Sequence, residues 1–326
     1  MLCTAVRQPN SAKGPGCCAV AARFVVLAVW QEPQTEQGPR QSDNQTMSQT
    51  MLGCGSYGRV QLVEQRAVKT VPVDSYASFY AALREEYVCR LLRLHRHPNL
   101  VHVFGTSWTN SVWQGTFEVG TCLESMSKSE IDAAGGWSCA LRHLTSGLAF
   151  LHARGIAHRD IKPANVIFAN GFKLIDFGLA RPMQAGVPPK GVPEEEEALY
   201  GTSYVTSRWW RPIELLENEH TNITCDVWSL GVMCLSLQSD DQVVCGNARE
   251  VHTGALRLMR TLGVAREMPW CKMITRLNER WNIFQLCEYL HLSYDRDVTP
   301  PTPGQHHALV LGHHSDKWED IAKCGI

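Results

Sequence analysis

Two polar segments near the middle of the sequence constrain its fold and chemistry more than any other feature. The first reads HRDIKPAN at residues 158–165, and the second reads KLIDFG at residues 173–178. They bring Asp160, Lys162, Asn165 and Asp176 into a short span. Carboxylate and amide oxygens suit Mg²⁺, a carboxylate can accept a hydroxyl proton, and an ammonium can stabilise charge on a phosphate. The combination indicates metal-assisted phosphoryl transfer.

Each of these residues also has an ordinary structural interpretation. Asp160 suits a turn, Asn165 suits a helix cap, and residues 176–178 suit a tight turn. We favour the functional interpretation because both strings occur in this order in one chain.

A glycine-rich segment, LGCGSYGRVQLV, lies between two predicted strands and contains Gly53, Gly55 and Gly58. Glycines there let backbone N–H groups approach a polyphosphate closely, although an ordinary hairpin is the alternative. The segment enters a strand and not a helix, so it matches neither a dinucleotide-binding nor a Walker loop. The next strand ends at Lys69, which places an ammonium under the loop.

The helix predicted over residues 75–94 offers two carboxylates to Lys69, those of Glu85 and Glu86. Glu85 shares a face with apolar residues, whereas Glu86 is followed one turn later by Arg90, a residue that is unfavourable to bury. We therefore assign Glu85 as the partner. Two solvated helix acids are the alternative.

The order of elements predicts an α+β fold with a small β-rich lobe and a larger helical lobe. The strand-like runs LGCGSYGRVQLV, RAVKTVPV, LVHVFG and SVWQGTFEV surround one helix, which Asp74 or Ser75 can cap. After about residue 121 the pattern becomes helical, as in SCALRHLTSGLAFLHARG and DVWSLGVMCLSL. The cleft between two such lobes is a common ligand site.

We expect three regions along the chain. Residues 1–46, rich in Gln, Pro and Ser, form an unstructured extension. Residues 47–292 form one bilobal domain, with an N-lobe over 47–120 and a C-lobe over 121–292. Residues 293–326 form a tail that opens with a proline cluster.

Composition indicates which classes of partner the chain can attract and which cellular compartment suits it. With 31 basic and 32 acidic side chains, the chain has no overall field to attract nucleic acid or a membrane, so we expect neither as a partner. Its 13 scattered cysteines include no Cys-x-x-Cys pair, which suits free thiols inside the cell, in the cytoplasm or nucleus. The apolar run over residues 17–30 is shorter than the roughly 20 residues that cross a bilayer.

These motifs resemble those of the eukaryotic protein kinases over roughly residues 50–292. The resemblance implies ATP and Mg²⁺ as cofactors and proteins as substrates. By position, it assigns Asp160 as the catalytic base, Lys162 as the γ-phosphate contact, Asn165 and Asp176 as Mg²⁺ ligands, and Lys69 with Glu85 as a phosphate-anchoring ion pair.

The same resemblance implies a nucleotide pocket between the lobes. Phe117 stands at its back. By the same resemblance, three glycines would cover the phosphates: Gly53, Gly55 and Gly58. The adenine ring would be enclosed by Val60, Ala67 and Ile167, and the hinge would run from Glu118 to Gly120.

Substrate class and regulation follow from the same comparison. The string DIKPAN, with Lys162, is similar to the corresponding loop of serine/threonine kinases. Residues 202–214 look like the activation segment of the cyclin-dependent and mitogen-activated kinase group. Thr202 and Tyr204 then form a Thr-x-Tyr pair, which implies an upstream activating kinase. Phosphate there would draw in Arg159, while unmodified surface hydroxyls are the alternative.

The larger lobe carries two further matches. The segment DVWSLG at residues 226–231 resembles the central buried helix of the family, and Arg280 would pair with Glu214. Pro212-Ile213-Glu214 replaces the usual Ala-Pro-Glu.

The small lobe departs from most cellular kinases. Only 16 positions separate Gly53 from Lys69, so the second and third strands must join through a very tight turn. The string YGRVQLVEQRAVKTV is similar to herpesvirus protein kinases, which suggests a viral origin. A pseudokinase-like nucleotide-binding scaffold is the alternative function, and a kinase of small metabolites is a third.

Overall fold

A computed structural model of the chain describes residues 50–54, 58–109, 111–182, 210–212, 214, 222–238, 253–254 and 269–298. The small lobe contains β1 (Thr50–Cys54), β2 (Arg59–Val63), β3 (Arg66–Pro72), α1 (Tyr76–Leu94), β4 (Val103–Trp108) and β5 (Val112–Phe117). The large lobe contains β6 (Thr121–Cys122), a 3₁₀ turn (Leu123–Ser125), α2 (Lys128–Ala133), α3 (Gly136–Ala153), β7 (Ile156–Ala157), a second 3₁₀ turn (Pro163–Asn165), β8 (Val166–Phe168), β9 (Phe172–Leu174), β10 (Arg181–Pro182), α4 (Cys225–Gln238), α5 (Trp270–Met273) and α6 (Ile283–Tyr289).

The small lobe is an antiparallel sheet with strand order β1-β2-β3-β5-β4 and with α1 against it. The predicted tight turn between β2 and β3 is present. Val63 pairs with Arg66, and only Glu64 and Gln65 lie between them. Both turn residues have positive φ, 49° and 62°, which gives the turn the twist that suits a two-residue hairpin.

Helix α1 begins as the sequence predicts. Ser75 is the N-cap, and its Oγ accepts a hydrogen bond from the Ser78 backbone at 3.2 Å. The Ser78 Oγ in turn accepts a hydrogen bond from the Ser75 backbone N–H at 3.2 Å. These bonds satisfy amide groups that the first helical turn leaves without partners.

The fourth strand lies later than its sequence pattern predicted. The apolar run begins at Leu100, but β4 begins at Val103. Leu100 and Val101 instead pair with Leu174 at the end of β9, where the Val101 amide donates to the Leu174 carbonyl at 3.0 Å. The connection after α1 is therefore attached to the large lobe before the chain enters the small sheet.

The large lobe is organised around α4, as predicted for a central buried helix. Every residue from Cys225 to Leu235 is buried, and α3 and α5 both contact this helix. Together the two lobes confirm the predicted α+β architecture. Within the described ranges, no helix has the length and apolar character that a bilayer span requires.

The first residues of the predicted C-terminal tail contact the large lobe. The Tyr294 ring lies 4.9 Å from that of Phe284, and Asp295 faces Arg154 at 3.6 Å. The predicted extension over residues 1–46 and the rest of the tail lie outside the described residues.

Candidate active site

Lys69 lies at the centre of the site. On β3 it pairs with Val60 of β2 and with Gly115 of β5. Its Nζ donates to Glu85 Oε2 at 2.5 Å and to Asp176 Oδ1 at 2.9 Å. One ammonium therefore joins the small sheet, α1 and the segment that follows β9.

The structure places Glu85, not Glu86, against Lys69. Both glutamates are buried, with exposed fractions of 2% and 5%. The alternative of two solvated helix acids is therefore wrong. Glu86 accepts hydrogen bonds from Trp113 Nε1 at 2.8 Å and from Arg90 Nε at 2.6 Å. Sequence reasoning did not identify Trp113, because nothing local links it to α1.

Lys69 and its two carboxylate partners shift one another's pKa values. Burial alone would lower the pKa of Lys69, but attraction to Asp176 and Glu85 raises it above its ordinary value. Burial opposes ionisation of Asp176, yet Lys69 lowers the pKa of that carboxyl to about 2. Burial raises the pKa of Glu85 to about 7, against the attraction of Lys69. Asp176 is thus ionised and Lys69 is protonated at neutral pH.

The segment after β7 brings Asp160, Lys162 and Asn165 together. Asp160 Oδ2 accepts from Lys162 Nζ at 2.7 Å and from Asn165 Nδ2 at 2.7 Å. Asn165 Nδ2 also donates to the Asp160 carbonyl at 2.8 Å. The amide nitrogen of Asn165 is therefore turned to Asp160, and its oxygen is the atom available to a cation.

Asp226, at the start of α4, holds the backbone of this segment. Its carboxylate accepts from the amides of His158 and Arg159, each at 2.7 Å, and from His152 Nε2 at 2.9 Å. Burial opposes ionisation, but these N–H groups lower the pKa of Asp226. They also stabilise Arg159 at a φ of 67°, a left-handed conformation that costs free energy in a non-glycine residue.

His158 connects the two polar strings. Its Nε2 donates to the carbonyl of Ile175 at 3.0 Å, and its ring meets that of Phe177 edge-on at 5.3 Å. Asp176, which follows Ile175, has a φ of 64°, and its Oδ1 accepts a hydrogen bond from the Gly178 amide at 3.2 Å. The strained backbone at Asp176 is thus held from both sides.

The predicted phosphate-covering glycines fall at the β1–β2 hairpin. Gly53 pairs with Val60. A Cβ on Gly58 would overlap the carbonyl oxygen of Thr70, so close approach to β3 already requires glycine at this position. Gly55 lies outside the described residues.

The predicted adenine-pocket residues lie on strands of both lobes, Val60 on β2, Ala67 on β3 and Ile167 on β8. Ala67 pairs with Phe117 at the end of β5, and a Cβ on Gly120 would lie 3.0 Å from Ile167 Cδ1. The segment over residues 118–120 therefore passes from the small sheet to β8, as expected of a hinge.

The Glu118 side chain has a role that the sequence did not reveal. Both of its carboxylate oxygens lie 2.8 Å from Lys173 Nζ, and Oε1 accepts from the His102 amide at 2.5 Å. Lys173 belongs to β9 and His102 precedes β4, so one side chain ties the hinge to both lobes.

The predicted ion pair of the large lobe is present. Arg280 Nη1 and Nη2 donate to Glu214 Oε1 and Oε2 at 2.6 and 3.0 Å. The predicted regulatory residues Thr202 and Tyr204 lie outside the described residues. Arg159, which was assigned to pair with phosphate there, follows His158 in the segment held by Asp226.

The sequence was compared with family models and with curated proteins. The family model "Protein kinase domain" matches residues 47–289. "Mitogen-activated protein kinase pmk-2" of Caenorhabditis elegans is 27% identical over 256 residues, covering 68% of this chain and 57% of that protein. "Mitogen-activated protein kinase 14" of Xenopus laevis is 30% identical over 203 residues, covering 58% and 52%. "Serine/threonine-protein kinase max-2" of C. elegans is 27% identical over 242 residues, covering 72% and 34%. The chain spans less than two thirds of the length of these curated relatives, but the family model covers well over half of the chain. The chain therefore belongs to the protein kinase domain family.

Proposed function

We propose that this protein is an ATP- and Mg²⁺-dependent protein serine/threonine kinase. The observation that carries the proposal is the convergence of two separate groups on one cleft. Lys69 contacts Asp176 and Glu85, while Asp160 contacts Lys162 and Asn165. Lys162 also lies close enough to Asp176 to lower its pKa, which links the two groups.

The donor set suits a metal-bound nucleotide. Mg²⁺ is usually held by one or two protein oxygens, with substrate phosphates and water completing its coordination. Asp176 is ionised and Asn165 presents an amide oxygen, so these two residues would hold the metal. Lys69 would contact the phosphates and Lys162 the transferred group. When bound, Mg·ATP supplies the phosphoryl group and much of the charge neutralisation.

Asp160 is placed to orient and deprotonate the substrate hydroxyl. Its Oδ2 is held by Lys162 and Asn165, which fixes the carboxylate without removing its second oxygen as an acceptor. His158 and Asp226 hold the surrounding backbone, so the base sits on a rigid support.

We further assign serine and threonine as acceptors and place the protein near the mitogen-activated and cyclin-dependent kinases. Two of the three relatives described above are mitogen-activated protein kinases by name, and the third is a serine/threonine-protein kinase. Lys162 in DIKPAN supports the same class. Phosphorylation of Thr202 and Tyr204 by an upstream kinase is the corresponding proposal for regulation.

An intracellular location, in the cytoplasm or nucleus, fits this activity. Cytosolic ATP supplies the substrate, and the eight cysteines of the described part of the chain are free thiols. A viral origin is also proposed, on the herpesvirus-like string YGRVQLVEQRAVKTV and on the compact two-residue turn at Glu64 and Gln65.

The direct test is phosphate transfer to a peptide library from labelled ATP in the presence of Mg²⁺. Wild type should label peptides on Ser or Thr, and Asp160→Asn should reduce the rate by about 10²–10⁴-fold. The matched control is Asp132→Asn, an exposed aspartate on α2, which should retain full activity. Nucleotide binding by wild type without any transfer would overturn the proposal and favour a nucleotide-binding scaffold.

Regulation is tested separately by phosphopeptide mapping of active protein. We expect phosphate on Thr202, Tyr204 or both, and lower activity in Thr202→Ala than in wild type. Full activity with neither residue modified would contradict this assignment while leaving the catalytic proposal intact.

A further inference from the structure

Helix α1 carries two consecutive buried glutamates, and the proposed reaction uses only the first of them. Glu85 contacts Lys69 and also accepts the backbone N–H of Phe177. Glu86 makes neither of these contacts, yet it is buried, with only 5% of its surface exposed. A buried carboxylate is costly to desolvate, so its presence there requires compensation.

The compensation comes from three donors on three different elements. Trp113 Nε1 of β5 donates to Glu86 Oε2 at 2.8 Å, and Arg90 Nε, one turn later on α1, donates to Oε1 at 2.6 Å. Thr106 of β4 supplies a further hydrogen bond. Burial opposes ionisation, but these bonds lower the pKa of Glu86, so it is a carboxylate at neutral pH.

The two glutamates attach α1 to different strands. Successive residues of a helix project about 100° apart. Glu85 therefore reaches β3 through Lys69, while Glu86 reaches β5 through Trp113 and β4 through Thr106. Because β3 and β5 are neighbours in the sheet, the two attachments act on one rigid surface. Rolling α1 about its axis would separate both pairs at once.

Gly115 gives the Trp113 indole its position. Gly115 lies opposite Lys69 in the sheet, two residues after Trp113. A Cβ there would lie 2.7 Å from Trp113 Cη2 and equally close to the Phe117 ring. Glycine therefore leaves the space in which the indole lies beside the strand, with its N–H on Glu86.

We propose that Glu86 and Trp113 are positioning residues, which fix the rotation of α1 and so hold Glu85 against Lys69. This inference rests on the proposed kinase function. It implies that phosphate transfer depends on a hydrogen bond that touches neither the nucleotide nor the substrate. The determinant of helix orientation lies within the small lobe itself.

The first test is Trp113→Phe, which keeps an aromatic ring and removes the N–H. We expect kcat to fall about tenfold and KM for ATP to change by less than about threefold, because Ala67 and the hinge are untouched. The matched control is Trp108→Phe. Trp108 lies opposite Trp113 on β4, and its ring meets α1 at Phe79, about two turns before Glu86.

A double-mutant cycle separates positioning from a general loss of stability. If Trp113 acts through Glu85, Trp113→Phe should cost little further activity in a Glu85→Gln background. Glu86→Gln keeps an oxygen that can accept the indole N–H, so it should retain more activity than Trp113→Phe. An additive cycle, or wild-type kcat in Trp113→Phe, would overturn the proposal.

A second readout does not depend on activity. Amide hydrogen exchange over residues 76–94 should be about tenfold faster in Trp113→Phe than in wild type, with α3 unchanged. Uniform acceleration of both helices would indicate loss of global stability and contradict a positioning role. If wild type transfers no phosphate, the kinase proposal fails, whereas the exchange data still decide whether Trp113 anchors α1.

Discussion

Arg280 and Glu214 form a bidentate ion pair in the interior of the large lobe, with N–O distances of 2.6 and 3.0 Å. The two residues are 66 positions apart, and both are buried. The guanidinium also donates to the Thr275 carbonyl and lies 5.1 Å from the ring centre of Trp228 on α4. The pair therefore connects Glu214 to the central helix α4.

Arg280→Ala should lower the free energy of unfolding by about 3–5 kcal/mol, because it leaves a buried carboxylate without its partner. The measurement is urea denaturation. Arg276→Ala is the control, since Arg276 is exposed and its loss should change stability by less than about 0.5 kcal/mol. Equal stability of the two variants would contradict the role of the pair.

Lys69→Met should reduce kcat/KM for peptide phosphorylation by about 10²–10³-fold, because it removes the ammonium shared by Glu85 and Asp176. Lys128→Met, at an exposed ion pair on α2, should leave the rate unchanged. Steady-state kinetics with both variants makes the comparison. Full activity in Lys69→Met would refute the assignment of this ion pair.

Asp226→Asn should destabilise the large lobe by about 3–5 kcal/mol at neutral pH, since Asp226 is a buried carboxylate that accepts three N–H groups. The folded pKa of Asp226 lies below its ordinary value of 3.8, so the unfolded chain takes up the proton first as pH falls. The stabilisation is thus complete above pH 3.8 and is lost at lower pH.

Denaturation of wild type and Asp226→Asn at neutral pH and near pH 3 measures this dependence. The difference in stability between the two proteins should shrink in acid. A difference that stays constant with pH would show that the charge of Asp226 is not its source. Asp132→Asn, at an exposed position, serves as the control.

His97 should make the fold acid-sensitive in a higher pH range. Burial, with a smaller effect of Arg154, lowers the pKa of His97 from 6.5 to about 4. Between these values the unfolded chain binds more protons than the folded one, so stability falls as pH drops from 6.5 towards 4. His97→Gln should remove part of that fall.

Thermal denaturation between pH 7 and pH 5 tests this, with His95→Gln as the control because His95 is exposed. The loss of melting temperature over this interval should be smaller in His97→Gln than in either wild type or His95→Gln. Identical losses in all three proteins would remove His97 as the cause.

Local sequence patterns predicted most of the framework. Ser75 caps α1, the glycine-rich segment forms a hairpin, and residues 226–231 lie in a buried helix, because capping, turn conformation and apolar periodicity act over a few residues. The position of β4 could not be predicted in this way. Leu100 and Val101 have strand-like character, but they pair with Leu174 at the end of β9 and not with the small sheet.

The difference between Glu85 and Glu86 shows what tertiary structure alone decided. The sequence determined that the lysines, aspartates and asparagine of the site are present, and that α1 carries two adjacent carboxylates. It did not determine that both carboxylates are buried, nor that Trp113 and Lys173 are partners of Glu86 and Glu118. Those contacts join residues 27 and 55 positions apart. Charge and hydrogen-bond complementarity over such separations depends on how the sheet and helix pack, and packing is a property of the whole fold.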